Sequence, residues 1–530
     1  MSQLTATTTA SVRVLSAKNR LPTPARMPLP VPGVPPGDLT AATAVINASF
    51  EACEGMLVTF PETLAVSESV ELARYGQVSL TAGGRPRQFT AAHPPSAAGL
   101  IDHAIDRARR TIILDDTDNR QNRPVDVPNT AYYHPVPGLS TGHFFRGGDT
   151  ITNLTGVLHW SFAGQSGTDA WRIRPVPEAF SYTFTATNPR PGMPDVGGRL
   201  KVAGFNVLNY FLTVDTTASN DVGVCGPSGT LDCRGADSAQ ELARQRAKLL
   251  AALQGLNADV LGLIEVENTP GVEPLADMVA GLPGYAYIDT GMIGTDAIRL
   301  GLLYKTAMVQ PVSAYAILDS RVDPRFIDTR NRPALAQTFE ERVSGEHVTV
   351  VVNHLKSKGS GCGARDDNPT TGQGNCNGTR TQAPLALADW LATDPTGSGD
   401  PDVLIIGDLN AYAKEDPIVA LRNAGYSDLV AAFGGSGAYS YVFDGQLGYL
   451  DHALATPPLT PQVTGVAEWH INADEVPLFD YNDEVRDAGE ASFEAESDTL
   501  PLYHADAFRT SDHDPVIMGL DLRKVVGPTR

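Results

Sequence analysis

A chain of 530 residues is too long for one ordinary domain, and 42% hydrophobic with 19% charged residues is the balance of a globular protein with a sizeable core. A net charge of −21 argues against a protein that coats nucleic acid, because phosphate is repelled at long range. It still leaves room for a metal-dependent enzyme with a local basic cleft.

No apolar run is long enough for a membrane span, and the first twenty residues lack the basic patch and apolar stretch of a signal peptide. Residues 1–50 include "LPTPARMPLPVPGVPPGD", which predicts an extended proline-rich segment. From 51 to 187 short alternating runs such as "MLVTF", "YGQVSL", "TIILDD" and "WRIRPV" predict a small all-β barrel or sandwich. Its aromatic residues Trp160, Phe162 and Trp171 are expected in the core rather than as stacking platforms. A second Pro/Gly-rich stretch, Asn188 to Gly198, marks the next boundary.

Residues 198–524 read differently. Ser238 and Glu241 have the spacing of a capping box, and Leu242, Leu249, Leu253 and Leu256 make the apolar stripe of the helix it opens. Runs such as "VLGLI", "VTVVV" and "VLIIG" are continuously apolar, as expected of strands covered on both faces. They end in polar residues: Glu265 and Glu267, Asn353 and His354, Asp408 and Asn410. "GYL" leads into Asp451, "TSDHDPV" supplies Asp512, His513 and Asp514, and Asn206 interrupts a strand of its own. One carboxylate beside a strand is commonly a turn residue. Several acidic and amide oxygens from different strand ends suit a hard cation, and two histidines beside them suit acid–base work on a phosphoryl group.

"GFNVLNY", "LGLIEVEN", "NHLKSKG", "IIGDLNA", "YLDHAL" and "SDHDPV" occur in the order found in the endonuclease/exonuclease/phosphatase superfamily, which this chain therefore resembles. The longer stretches "WHINADEVPLFDYN" and "GDTITNLTGVLHWSF" are similar to large extracellular bacterial nucleases of the ExeM/NucH type. The resemblance implies a DNase I-like four-layer α/β sandwich preceded by a small OB-like β-domain. It implies that Asn206, Glu265 and Asp512 surround the principal metal, Mg²⁺ or Mn²⁺ with Ca²⁺ as an additional ion. Asp408 and Asn410 would activate water and orient the phosphate, His513 would contact the scissile phosphate with Asp451 behind it, and His354 would be the second histidine. Glu267 is expected to hold a loop, and Asp514 to tie down the turn before Pro515. Related proteins pair the second histidine with a Glu where this chain has Ile298; Asp296 is the nearest substitute. Arg332 in "RNRPAL" matches a phosphate-binding arginine. Lys356, taken as a phosphate contact, would form a basic rim with Lys358, Arg365 and Arg380.

Cys225 with Cys233 and Cys362 with Cys376 bracket polar loops without CxxC spacing, which favours two disulfides over a zinc site and an oxidising, extracellular home. Cys53 is then left over and expected buried. The acidic stretch 472–498 reads equally as a calcium-binding insertion or a solvated loop. The expected function is a secreted, divalent-metal-dependent nuclease cleaving DNA, with RNA as a second substrate, without a membrane or an obligate protein partner. The alternatives are a phosphatase or phospholipase C-like phosphodiesterase, and a non-catalytic nucleic-acid- or matrix-binding protein.

Overall fold

The computed structural model describes residues 16, 19–117, 138–162, 167–215, 223–482 and 501–523. Residues 483–498 of the acidic stretch, and most of the first eighteen residues of the N-terminal segment, lie outside the described residues.

The alternating runs of the N-terminal part form strands β1 (Ala25–Arg26), β2 (Leu57–Glu68), β3 (Gln77–Ala82), β4 (Thr111–Asp115), β5 (Thr150–Ser161) and β6 (Ala170–Pro175). β2 pairs with both β3 and β5, β4 joins β3 to β6, and β6 returns to β5, so five strands close on themselves. Only the β4–β6 pair in that ring is parallel. Closure leaves one inward face, which Val58, Phe60, Leu64, Leu80, Leu114 and Leu158 fill. Trp171 is buried there and Trp160 partly so, but Phe162 is 44% exposed and does not belong to the core. Cys53 is a free thiol, only partly buried against the same core.

The first fifty residues are not an extended strap alone. Leu39–Glu51 is a helix whose N-cap Asp38 accepts from the Ala41 amide at 3.0 Å. Ala42, Ile46 and Phe50, four residues apart, bury one helical face, and Met27, Leu29 and Val31 also enter the barrel core. The prolines end before Asp38, so a proline-rich reading of the whole segment hid the helix behind them.

The remaining strands begin with β7 (Leu200–Tyr210), β8 (Val260–Glu267), β9 (Tyr285–Tyr287), β10 (Ile298–Lys305), β11 (Val309–Leu318), β12 (Arg332–Glu341) and β13 (His347–His354). They continue with β14 (Val403–Asp408), β15 (Ser427–Asp428), β16 (Tyr441–Phe443), β17 (Gln446–Gly448), β18 (Asp451–Ala455), β19 (Val463–Glu468) and β20 (Val516–Leu520). Two six-stranded sheets result, ordered β19-β20-β7-β8-β10-β9 and β11-β12-β13-β14-β18-β15. Val202, Ile264 and Leu302 of the first meet Leu335, Val350 and Ile406 of the second in one core. Helix Ala239–Leu256 covers the outside of the first sheet through Leu249, Leu253 and Leu256. Helices Asn377–Leu391 and Asp416–Asn423 cover the outside of the second through Leu387, Ile418 and Leu421. The four layers explain why these strands are apolar throughout, since both faces of each sheet are buried.

The capping box is present in modified form: Ser238 accepts from the Glu241 amide at 3.1 Å, while Glu241 reaches back to the Asp237 amide at 2.8 Å. The barrel and the sandwich share a core, because Val476, Leu478, Phe479 and Leu502 pack among the barrel residues. Buried Arg146 of the barrel pairs with buried Glu475 at 2.6 Å. Among the described residues no helix is long and apolar enough to cross a membrane.

Gly407 precedes Asp408 at φ +122°, and a Cβ there would lie 2.1 Å from the Asn353 carbonyl oxygen. Gly407→Ala should lower stability by about 2–3 kcal/mol, read as a shift in the urea midpoint without a change in slope. Wild-type stability would show that the two strands can part here at no cost.

Candidate active site

Register alone assembles half of the site. β13 and β14 run parallel with His354 opposite Asp408, and β14 and β18 run antiparallel with Asp408 opposite Asp451. Three side chains from three adjacent strands therefore stand in one row at the edge of one sheet. The other sheet faces them with Asn206 on β7 and Glu265 on β8. A bulge shifts the β7–β8 pairing between Asn206 and Tyr210, and Glu265 adopts φ +69°. Left-handed backbone at a non-glycine strand residue costs free energy, and here it re-aims a carboxylate across the gap. Ser511, Asp512 and His513 arrive just before β20, fixed by the Ser511 hydroxyl donating to the Asn206 carbonyl at 2.8 Å.

The contacts are short and mutual. His513 Nδ1 lies 2.7 Å from Asp451 Oδ2, and its Nε2 faces Asp408 at 4.0 Å. His354 Nε2 approaches Asp408 Oδ2 at 3.6 Å and Glu265 Oε1 at 3.8 Å, while its buried Nδ1 has no hydrogen-bond partner. Asn206 Nδ2 bonds Glu265 Oε1 at 3.2 Å. Asn410, at φ +48°, donates its backbone amide to Asp408 Oδ1 at 2.8 Å and its side-chain amide to the Leu355 carbonyl at 3.1 Å.

The two imidazoles are driven apart electrostatically. Burial would lower His513, but Asp451, Asp512 and Asp408 outweigh it and hold its proton well above the ordinary histidine range. Burial, then Arg332 and His513, push His354 well below that range, so it is neutral. Burial and the Asp512 charge raise Glu265, and burial with Asp451 and Glu265 nearby raises Asp408 to about 7 against the pull of His513. Oxygen-bearing side chains crowded until their carboxylates resist ionisation are what a hard divalent cation relieves. Glu265 and Asp512, with Asn206 beside them, would hold such an ion; the donor set fits.

Several sequence expectations need correction. Asp296 does not serve His354; it pairs with Arg332 and Arg234, each at 2.9 Å, because two guanidiniums outcompete a neutral imidazole. Arg380 is no rim residue. It is fully buried and donates to the carbonyls of Asn375 and Gln373 at 2.6 and 2.7 Å. Lys358 is tied to Glu415 at 2.5 Å, whereas Lys356 is half-buried with its ammonium on Ser357. Arg332 sits directly opposite His354 in the β12–β13 register. Asp514 accepts from the amides of Asn472 and Ala473 at 2.8 and 3.1 Å and from His470 at 2.8 Å, so it anchors a distant loop rather than its own turn. Glu267 does hold a loop, accepting from the Leu212 and Thr213 amides. Both disulfides form as paired by spacing, Cys225–Cys233 and Cys362–Cys376.

Two residues escaped the sequence reading. The buried Ser440 donates to Asp451 Oδ2 at 2.7 Å, and Tyr441 stacks on His513 with ring centroids 4.5 Å apart. The available signal was the Asp444-Gly445 pair, both at positive φ, which marks the turn of the β16–β17 hairpin that carries Tyr441.

No curated protein matches this chain. Solved structures similar to it include a mannosyl-6-phosphatase from Bacteroides thetaiotaomicron (18% identity, 61% of this chain and 100% of that one, TM-score 0.38). Others are an AP endonuclease from Archaeoglobus fulgidus (15%, 61% and 100%, TM-score 0.34) and the human Nocturnin catalytic domain (15%, 60% and 93%, TM-score 0.35). The model of the Endonuclease/Exonuclease/phosphatase family matches residues 205–513, more than half of the chain and all of the site described above. The chain belongs to the endonuclease/exonuclease/phosphatase family, whose members are hydrolytic phosphoesterases that generally use divalent metals.

Proposed function

We propose that this protein is a secreted, metal-dependent phosphodiesterase that hydrolyses DNA, and RNA to a lesser extent, by in-line attack of water on phosphorus. The observation that carries the reading is the placement of two histidines about Asp408, His354 Nε2 at 3.6 Å and His513 Nε2 at 4.0 Å, beside Glu265, Asp512 and Asn206. A divalent cation bound by Glu265, Asp512 and Asn206 would neutralise charge on the phosphoryl oxygens and the leaving oxygen. Asp408, kept in place by Asn410, accepts a proton as water adds to phosphorus. The bond to the leaving alkoxide breaks, and that alkoxide takes a proton from solvent water while Asp408 returns its own to solvent. His513, held as imidazolium by Asp451, donates a hydrogen bond to the phosphoryl group as negative charge builds there. Neutral His354 offers a second uncharged contact on the same side, and Arg332 beside it steers the phosphate. Lys356 lies further along the same loop and would meet a flanking phosphate.

Two features support nucleic acid outside the cytoplasm as the setting. The disulfides staple the polar loops 225–233 and 362–376 and need an oxidising compartment to persist. The wording of the motifs resembles the ExeM/NucH type, and a closed five-stranded N-terminal barrel supports the reading of that part as an OB-like domain. On this reading the barrel spans 51–187, the preceding segment packs onto it, and the catalytic domain spans 198–524.

With supercoiled plasmid and Mg²⁺ or Mn²⁺, wild type should nick and degrade the DNA, and chelation should abolish this. His513→Ala should lose at least about 100-fold in rate. Intact plasmid beside rapid hydrolysis of a simple phosphomonoester or a phospholipid would replace the nuclease reading with the phosphatase or lipase one. Asp451→Asn removes the carboxylate that keeps the His513 proton. Its alkaline limb of kcat against pH should therefore fall at lower pH than in wild type, with about 100-fold lower maximal rate; an unmoved limb would separate Asp451 from that proton.

A further inference from the structure

The hairpin of β16 and β17 carries Tyr441, which stacks on His513, and follows directly on Ser440, which bonds Asp451. Ser440, one residue before it, is fully buried and works in four directions. Its hydroxyl donates to Asp451 Oδ2 at 2.7 Å and accepts from the Leu450 and Asp451 amides at 3.3 Å. Its carbonyl accepts from the Asp514 amide at 2.8 Å, beside His513. Asp451 Oδ2 thus receives both Ser440 and His513, while Oδ1 is buried without a partner. Any shift of residue 440 would therefore move the carboxylate that orients His513.

What fixes this hairpin is the barrel. Leu447 and the segment Pro86–Gln88 exchange backbone hydrogen bonds, Gln88 N to Leu447 O at 2.8 Å and Leu447 N to Pro86 O at 2.9 Å. Gln88 Nε2 donates to the Phe443 carbonyl at 2.8 Å, and His103 meets Gln446 at 2.7 Å. Arg107 pairs with Asp444 at the turn. Arg87 grips the segment leading into the hairpin: its guanidinium donates to the carbonyls of Gly437 and Ala438, two to three residues before Ser440. Three glycines, Gly434, Gly435 and Gly437, lie at or just before that contact, so the backbone there has little stiffness of its own.

We propose that Arg87, a residue of the N-terminal barrel, is a positioning residue for hydrolysis: by gripping the backbone before Ser440 it sets Ser440 on Asp451 and Tyr441 on His513. The barrel is thereby part of the active site and not only an appended binding module. This rests on the phosphodiesterase reading above. A misplacement of the order of 1 Å at a catalytic pair is enough to cost about 100-fold in rate, so a contact remote from the chemistry can control it.

The test uses the full chain with Mn²⁺ and a small chromogenic diester, bis(p-nitrophenyl) phosphate, which is too short to span the barrel. Arg87→Ala should lower kcat about 10- to 100-fold with KM and Mn²⁺ affinity unchanged. Arg87→Lys, which keeps one donor for the Ala438 carbonyl, should recover most of that loss. Combining Arg87→Ala with Ser440→Ala should cost little more than the larger single change, because both act through one geometry. Arg87→Gln replaces Arg87→Ala if the latter does not fold. An unchanged kcat beside a lower melting temperature, or a higher KM alone, would overturn the proposal while leaving the function intact. Wild type inactive on both the diester and plasmid would overturn the functional reading and the proposal with it.

Discussion

The hydrogen bond of 2.7 Å between His513 and Asp451 holds the site together, because its two ends belong to different sheets. Asp451 opens β18 in one sheet, and His513 lies just before β20 in the other. Burial would strip the imidazole of its proton, and three carboxylates keep it there. Asp451 and Glu265 crowd Asp408, and Asp512 crowds Glu265, so the site gathers acidic groups whose charge a bound cation would balance. A sandwich whose sheets drifted apart at this edge would lose the charge pair, and the donors Asn206, Glu265 and Asp512 on one sheet would part from Asp408 on the other.

The fold pays for that edge elsewhere. Glu265 and Asn410 sit in left-handed backbone, and Gly407 allows the close pass of β14 by Asn353 that aligns Asp408 with His354 and Asp451. The packed core between the sheets, and the helices outside them, over-determine these conformations. The barrel adds a second constraint from outside the sandwich. It shares its core with Val476, Leu478 and Phe479, buries Arg146 against Glu475, and grips the hairpin beside His513. The loop 470–475 lies between these contacts and Asp514, so the link from barrel to site is continuous.

The row of His354, Asp408 and Asp451 was legible in the sequence because polar residues flank its apolar strands. Acids or amides after "VLIIG", "VTVVV" and "VLGLI", with Asn206 inside a strand and Asp451 and Asp512 at or before the start of two more, pointed together to one place. What stayed hidden was partner choice. Asp296 was near the expected position in sequence, but Arg332 and Arg234 claim it in space. Arg380 looked like part of a basic loop, yet it lies inside a helix whose neighbouring carbonyls and Glu415 absorb its charge. Ser440 and Tyr441 carried no motif, since their importance comes from a docking contact made by residues some 350 positions away. The helix 39–51 was lost behind prolines that end just before it.

On the proposed mechanism, Glu265 on β8 and Asp512 just before β20, in one sheet, bind the divalent cation on which hydrolysis depends. Anomalous diffraction from crystals soaked in Mn²⁺ measures this directly. One strong peak is expected within coordinating distance of Glu265 and Asp512, and it should vanish in crystals of Glu265→Gln. A fully active, Mn²⁺-dependent enzyme whose peak lies away from both residues would contradict it.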